Sequence, residues 1–224
     1  MPDPAPIRVL IVDDHAMVRR GMRDFLELQD DIEIVGEAVD GGDAIEQAGA
    51  LRPDIVVMDL MMPGIDGIEA TARIRADLPE VEVIALTSFV EEARVLAAIE
   101  AGAAGFLLKD AEADELAAAI RAAAAGEVHL DPAIAGIVAR RMRAGHADTA
   151  AGQHVDGISS LTQRERDVLV CVAQGLPNRA IADRLGITER TARTHVSNIL
   201  AKLGLASRTQ AALFAVQNGL DQER

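Results

Sequence analysis

The chain has no tryptophan, no tyrosine and one cysteine. A lone Cys171 excludes an intramolecular disulfide framework and suits a reducing cytoplasm. Without indole or phenol groups, intrinsic fluorescence cannot report on ligand binding. No apolar run approaches the roughly 20 residues of a membrane span, and Met1-Pro2-Asp3-Pro4-Ala5-Pro6 lacks a signal-peptide pattern. Basic residues are also scarce: 22 Lys and Arg stand against 36 Asp and Glu, a net charge of −14. Taken in bulk, that charge argues against a nucleic-acid partner.

The charge is unevenly spread, and this reopens the question. Residues 1–126 hold 10 Lys/Arg against 26 Asp/Glu, residues 127–154 hold 3 against 3, and residues 155–224 hold 9 against 7. An acidic body joined to a slightly basic end suggests separate partners for each part. At 224 residues, half of them hydrophobic, the chain is long enough for two domains.

The first part alternates strand and helix signals five times. Strands are predicted near 7–12, 32–37, 54–59, 82–87 and 104–108, with helices near 15–28, 42–51, 65–77, 91–101 and 112–125. Five such units in about 120 residues predict an α/β domain, a doubly wound parallel sheet with helices on both faces. Residues 131–143 form a further predicted helix, with Asp131 as N-cap and Pro132 at its first position. Ala144 to Ser160 lacks apolar periodicity and makes a linker. The expected domains are 1–127 and 158–224, joined by 128–157.

Polar residues close four of the apolar strands: Asp13 and Asp14 follow Val12, Asp59 follows Met58, Thr87 follows Leu86, and Lys109 follows Leu108. In parallel sheets ligands bind beyond the carboxyl ends of the strands. One Asp at such a place commonly caps the next helix, but five residues of fitting type gathered at strand ends argue for a site. Three carboxylates together repel and raise one another's pKa values unless a cation intervenes. A hard divalent ion such as Mg²⁺ relieves this and orients a phosphoryl donor. Asp59 is the natural nucleophile, Lys109 offsets phosphoryl charge, and Thr87 offers a hydroxyl to the new group. His15 is read as a first-turn helix residue, and Asp66 as stabilising the turn after Pro63-Gly64.

From Leu161 the pattern is entirely helical. Thr162-Gln163-Arg164-Glu165 is a capping box opening a helix that ends at Gly175. Asn178 is expected to cap a second, Arg179 to Leu185. Thr188 caps a third, ending near Leu203, and a fourth covers about Thr209–Asn218. Two short capped helices around a glycine turn read as helix-turn-helix. Cys171 is expected to be buried and inert.

The stretches Val12-Asp13-Asp14-His15, Met58-Asp59-Leu60-Met61-Met62-Pro63-Gly64-Ile65-Asp66-Gly67, Leu86-Thr87-Ser88 and Gly105-Phe106-Leu107-Leu108-Lys109-Asp110 together resemble the receiver domain of two-component response regulators, over about residues 7–125. The resemblance implies a flavodoxin-like fold and phosphorylation of Asp59 by a sensor histidine kinase. It implies Mg²⁺ on Asp14, Asp59 and the Met61 main-chain carbonyl, with Asp13 acting through water. Thr87 and Phe106 would be a switch pair, although Phe106 also fits a plain core role. Met61 and Phe89, two residues beyond Asp59 and Thr87, flank the path of attacking water in receivers. Apolar side chains there imply a long-lived phosphoryl state.

Leu161-Thr162-Gln163-Arg164-Glu165-Arg166, Gly175-Leu176-Pro177-Asn178-Arg179-Ala180 and Leu185-Gly186-Ile187-Thr188-Glu189-Arg190-Thr191-Ala192-Arg193-Thr194-His195-Val196 resemble the LuxR-type helix-turn-helix, over about 158–220. Together the two resemblances place the chain in the NarL/FixJ class. On the third helix Ala192, Val196, Ile199 and Leu203 make an apolar stripe. Arg190, Arg193, Thr194, Ser197 and Asn198 lie off it, free to face a groove of double-stranded DNA, while Lys202, Thr191 and Asn178 suit phosphates. The family commonly has valine then lysine where this chain has Ala192-Arg193, and arginine favours bidentate reading of a guanine.

The expected protein is therefore a cytoplasmic, non-enzymatic transcription regulator. Phosphorylation would control its homodimerisation and its binding to paired half-sites, and RNA polymerase would be a further partner. Helix 203–220 and the face of helix 91–101 are the two surfaces put forward for the dimer. The rival reading is a phosphorylation-independent DNA-binding protein whose receiver is only a dimerisation scaffold.

Overall fold

The computed structural model describes residues 5–127, 129–130, 134–137, 140 and 158–220. Its first part is β1 (Ile7–Val12), α1 (Ala16–Leu26), β2 (Ile32–Ala38), α2 (Gly41–Leu51), β3 (Ile55–Asp59), α3 (Gly67–Asp77), β4 (Glu82–Thr87), α4 (Glu92–Glu100), β5 (Gly105–Leu108) and α5 (Ala113–Ala124). All five expected strands are present and run parallel, in the order β2-β1-β3-β4-β5. A two-residue strand that the sequence did not signal, β6 (His129–Leu130), pairs parallel with β5 at the edge. The predicted helix 131–143 is described only at 134–137 and 140, which are helical; the rest of it, and most of the expected linker, lie outside the described residues.

Side chains alternate along the strands, so β1 to β5 each supply two cores. Val9, Ile11, Ile55, Val57, Ile84 and Leu86 pack under α1 and α5, with Leu116, Ala119 and Ile120. Leu10, Val12, Val56, Met58 and Val83 face the opposite way, against Ala44 and Ala48 of α2 and Ala70 and Ile74 of α3. Leu60, Ala85 and Phe106 form a third cluster with Val95, Ala98 and Ile99 of α4. Because β1 is flanked by β2 on one side and β3 on the other, the chain reverses its winding between β1 and β3. The carboxyl ends of these two strands therefore border the crevice where such sheets bind ligands.

The second part contains α6 (Gln163–Ala173), α7 (Asn178–Leu185), α8 (Glu189–Leu203) and α9 (Arg208–Gln217). Its core gathers Val168, Leu169, Cys171, Ile181, Ala182, Ala192, Val196, Ile199, Ala211 and Ala215. The capping box at Thr162 is complete, with its hydroxyl accepting from Glu165 N–H and Glu165 accepting from Thr162 N–H. The hydroxyls of Thr188 and Ser207 cap α8 and α9 by accepting from Thr191 N–H and Gln210 N–H, and Gly186 and Gly204 end α7 and α8 in left-handed conformation. One expectation needs correcting. Helix α7 begins at Asn178 with Pro177 as its cap, because the Asn178 side chain is committed elsewhere: its Oδ1 accepts from Arg208 Nη1 at 2.9 Å.

Candidate functional site

The acidic site forms where β1 and β3 end. Asp13 and Asp59 are buried there, and Asp14 is partly exposed at the rim. Short turns fix their orientations. Asp13 Oδ1 accepts from His15 N–H at 2.8 Å, and Asp59 Oδ1 accepts from Met61 N–H at 3.0 Å. Helix α3 starts close behind the nucleophile: a Cβ placed on Gly67 would lie 2.0 Å from the Asp59 carbonyl oxygen. Asp66 caps this helix, accepting from Glu69 N–H at 2.9 Å, as its turn role required.

Lys109, just beyond β5, reaches across the sheet edge. Its Nζ lies 2.6 Å from Asp13 Oδ2 and 2.7 Å from Asp59 Oδ2. Burial pulls the lysine's pKa down, but the bonds to the two carboxylates outweigh it and the net shift is upward, so the ammonium stays charged. Burial pushes the Asp59 pKa above its usual range, partly offset by Lys109 and the Met61 N–H. His15 stands at the N-cap position of α1 without capping it. Its Nδ1 lies 2.6 Å from Asp14 Oδ1 and 3.3 Å from Asp13 Oδ1. The sequence reading missed this pairing, for which nothing but adjacency was a signal.

Ligand atoms of Asp13, Asp14, His15 and Asp59 all fall within 4.8 Å of one another. Asp13 Oδ2 and Asp14 Oδ1 are buried, and among the described residues Lys109 Nζ and His15 Nδ1 are their close polar contacts. Hard oxygen donors with unused acceptor capacity fit a divalent cation of the Mg²⁺ type. Thr87 is buried at the same edge, and its hydroxyl donates to the Phe89 carbonyl at 2.9 Å. Phe106 is fully buried in the cluster under α4. Met61 and Phe89 are 45% and 71% exposed, and their main chains bond to Asp59 and Thr87.

On helix α8, Arg190, Thr191, Arg193, Thr194, Ser197, Asn198 and Lys202 are exposed, while Ala192, Val196 and Ile199 are buried as the stripe required. Two residues nominated for DNA have other partners. Lys202 Nζ lies 2.7 Å from Glu165 Oε2. Asn178 is buried, with its Nδ2 where a Cβ on Gly126 would be, so α7 abuts the end of α5.

The two parts of the chain touch. Arg75 of α3 donates to the Ala206 carbonyl at 2.8 Å, and Thr209 Oγ1 donates to the Ala104 carbonyl at 3.1 Å. Gln210 Nε2 donates to the Ile99 and Glu100 carbonyls, both at 2.8 Å. Arg193, Ser197 and Arg208 line an interdomain cavity of about 310 Å³ with Asp54, Arg75 and Glu82. Glu82 is pushed up by burial, against the pull of Arg75, Arg208 and Arg193. Helices α4 and α9, the two surfaces put forward for a dimer, meet each other within this chain.

Comparison with known proteins agrees with this architecture. Residues 9–121 match the response regulator receiver domain, and residues 159–215 match the luxR family of bacterial regulatory proteins. The transcriptional regulatory protein LiaR of Bacillus subtilis is 48% identical over 214 residues, 96% of this chain and 99% of LiaR. Response regulator protein VraR of Staphylococcus aureus is 42% identical over 216 residues, 96% of this chain and 99% of VraR. Among solved structures, response regulator ChrA of a heme-sensing two-component system is 40% identical, with a TM-score of 0.52 over 97% of this chain and 100% of ChrA. With an acidic pocket on a receiver fold and a LuxR-type helical domain behind it, this chain belongs to the response regulators that regulate transcription.

Proposed function

We propose that Asp59 is the phosphoacceptor and that its phosphorylation, by a sensor histidine kinase, controls dimerisation and DNA binding. The observation that carries the reading is Asp59 itself: buried, oriented by Met61 N–H and faced by Lys109 at 2.7 Å. Its carboxylate oxygen attacks phosphorus of a phosphohistidine. The O–P bond forms as the P–N bond breaks, the electron pair stays on the imidazole nitrogen, and that nitrogen then takes up a proton.

Lys109 offsets the negative charge on the phosphoryl oxygens as the group is transferred, and it is paired with Asp13. Asp14, Asp59 and the Met61 carbonyl would hold Mg²⁺, with Asp13 acting through water. When bound, that ion supplies charge neutralisation at the phosphoryl oxygens. The Thr87 hydroxyl must leave the Phe89 carbonyl to reach the phosphoryl group, a change felt along β4 and at Phe106 beside it. In the DNA-bound state Arg190, Arg193, Thr194, Ser197 and Asn198 read the groove while Thr191 and Lys202 meet phosphates. A cytoplasmic location, the domain limits 1–127 and 158–224, and RNA polymerase as a partner belong to the same reading.

The test is intact-mass spectrometry after incubation with acetyl phosphate, with and without Mg²⁺, beside Asp59→Asn. A single Mg²⁺-dependent phosphoryl adduct, absent from the variant, is expected. An adduct of equal yield in Asp59→Asn would overturn the assignment.

A further inference from the structure

The imidazole of His15 serves neither helix nor core. The residue stands at the N-cap of α1 with extended backbone, and its side chain makes no cap hydrogen bond. Serine, threonine, aspartate and asparagine are the residues that cap helices, and a cationic ring at a helix N-terminus would oppose the dipole. The side chain is also 65% exposed, so packing does not require it. Its polar contacts run into the acidic pocket instead. Nδ1 lies 2.6 Å from Asp14 Oδ1 and 3.3 Å from Asp13 Oδ1.

These separations suit donors that share one ion. Metal–ligand bonds of about 2.1 Å put neighbouring donors of an octahedron about 3 Å apart and opposite donors about 4.2 Å apart. The two contacts of Nδ1 fall on either side of the first figure, and one ligand atom from each of Asp13, Asp14, His15 and Asp59 lies within 4.8 Å of the others. Asp14 Oδ1, the carboxylate oxygen nearest the ring, is itself buried. A neutral imidazole keeps one lone pair, and with its proton on Nε2 that pair sits on Nδ1. Mg²⁺ takes oxygen donors and gains little from such a nitrogen, whereas Co²⁺, Ni²⁺ and Zn²⁺ accept imidazole readily.

We propose that His15 Nδ1 is a ligand beside Asp14 and Asp59, so that the pocket holds a nitrogen-accepting first-row divalent ion in preference to Mg²⁺. This rests on the reading of the acidic pocket as a metal site. A set that mixes carboxylates with an imidazole binds more tightly along the series Mn²⁺, Co²⁺, Ni²⁺. Both kinds of ion need Asp14 and Asp59, so each excludes the other. Selectivity between them turns on one exposed side chain, because without the imidazole the pocket offers oxygen donors alone.

Isothermal titration calorimetry of the full chain tests this, with Co²⁺ alone and with Mg²⁺ alone, beside His15→Ala and His15→Gln. The ring is exposed and caps nothing, so both variants should fold as the unaltered chain does, which far-UV circular dichroism checks. The chain's other histidines are common to all three proteins, so the difference isolates His15. The expected result is Co²⁺ affinity at least roughly tenfold weaker in both variants, with Mg²⁺ affinity unchanged within about twofold. In the unaltered chain, added Mg²⁺ should weaken the apparent binding of Co²⁺. Unchanged Co²⁺ affinity in the variants overturns the proposal. An equal loss for Co²⁺ and Mg²⁺ also overturns it, because the ring would then only orient the carboxylates. If the unaltered chain binds Mg²⁺ no better than Asp59→Asn does, the Mg²⁺ reading fails, while a His15-dependent affinity for Co²⁺ would still uphold the nitrogen ligand.

Discussion

Glu165 offers a quantitative test of how the DNA-binding domain is built. It closes the capping box of α6 and also accepts from Lys202 of α8 at 2.7 Å, tying two helices together. The Lys202 ammonium, first among the causes, and the Thr162 N–H hold the Glu165 carboxyl down at about 2 against an ordinary 4.5. A shift of that size corresponds to roughly 3 kcal/mol at about 1.4 kcal/mol for each pKa unit. Lys202 is 38% exposed, so solvent screening leaves about 2 kcal/mol of that. Glu165→Gln keeps the shape and an acceptor for Thr162, and removes the charge. The helical domain should then melt about 8–16 °C lower at pH 7. Because the folded pKa is depressed, the stabilisation is complete above pH 4.5 and disappears as pH falls through about 2. Calorimetry suits the measurement in a chain without Trp or Tyr. The gap between the two proteins should close on acidification. A gap that persists unchanged to pH 2, or no gap at pH 7, would refute the ion-pair argument.

Three further outcomes are expected. Gly67→Ala forces a Cβ against the Asp59 carbonyl; it should abolish the phosphoryl adduct by intact mass while far-UV circular dichroism stays near that of the parent. Met61 and Phe89 follow Asp59 and Thr87 by two residues with exposed apolar side chains, so the acyl phosphate should last minutes or longer. Phe89→Ala should shorten it, and a decay within seconds in the unaltered chain would show that these residues do not hinder water. Arg193→Ala should lower affinity for a selected DNA site by about 1–3 kcal/mol and relax preference at one base pair, read by fluorescence anisotropy with labelled DNA.

The sheet and the acidic site were largely legible because both depend on local signals. Apolar strands of about five residues ending in Asp, Thr or Lys announce their own positions, and the parallel topology brings those ends together. The same held for the capping box at Thr162 and the glycine stops at Gly186 and Gly204. Interdomain contacts were not legible. Thr209 and Gln210 are ordinary first-turn residues in sequence, and Arg75 reads as a charge on an amphipathic helix. Their roles come from main-chain carbonyls more than a hundred residues away, which leave no trace in spacing or periodicity. Asn178 was read as a cap because asparagine favours that place; pairing with the buried Arg208 outcompeted it. The strand β6 is too short to show a pattern.

The central claim is that phosphorylation at Asp59 governs DNA binding. The most direct measurement is selection from a random double-stranded DNA pool by the phosphorylated chain and by Asp59→Asn, each with acetyl phosphate and Mg²⁺. The account predicts that the phosphorylated chain enriches paired half-sites and that Asp59→Asn enriches little or nothing. Equal enrichment by both would contradict it, and would make the receiver a scaffold beside a DNA-binding domain that needs no phosphoryl signal.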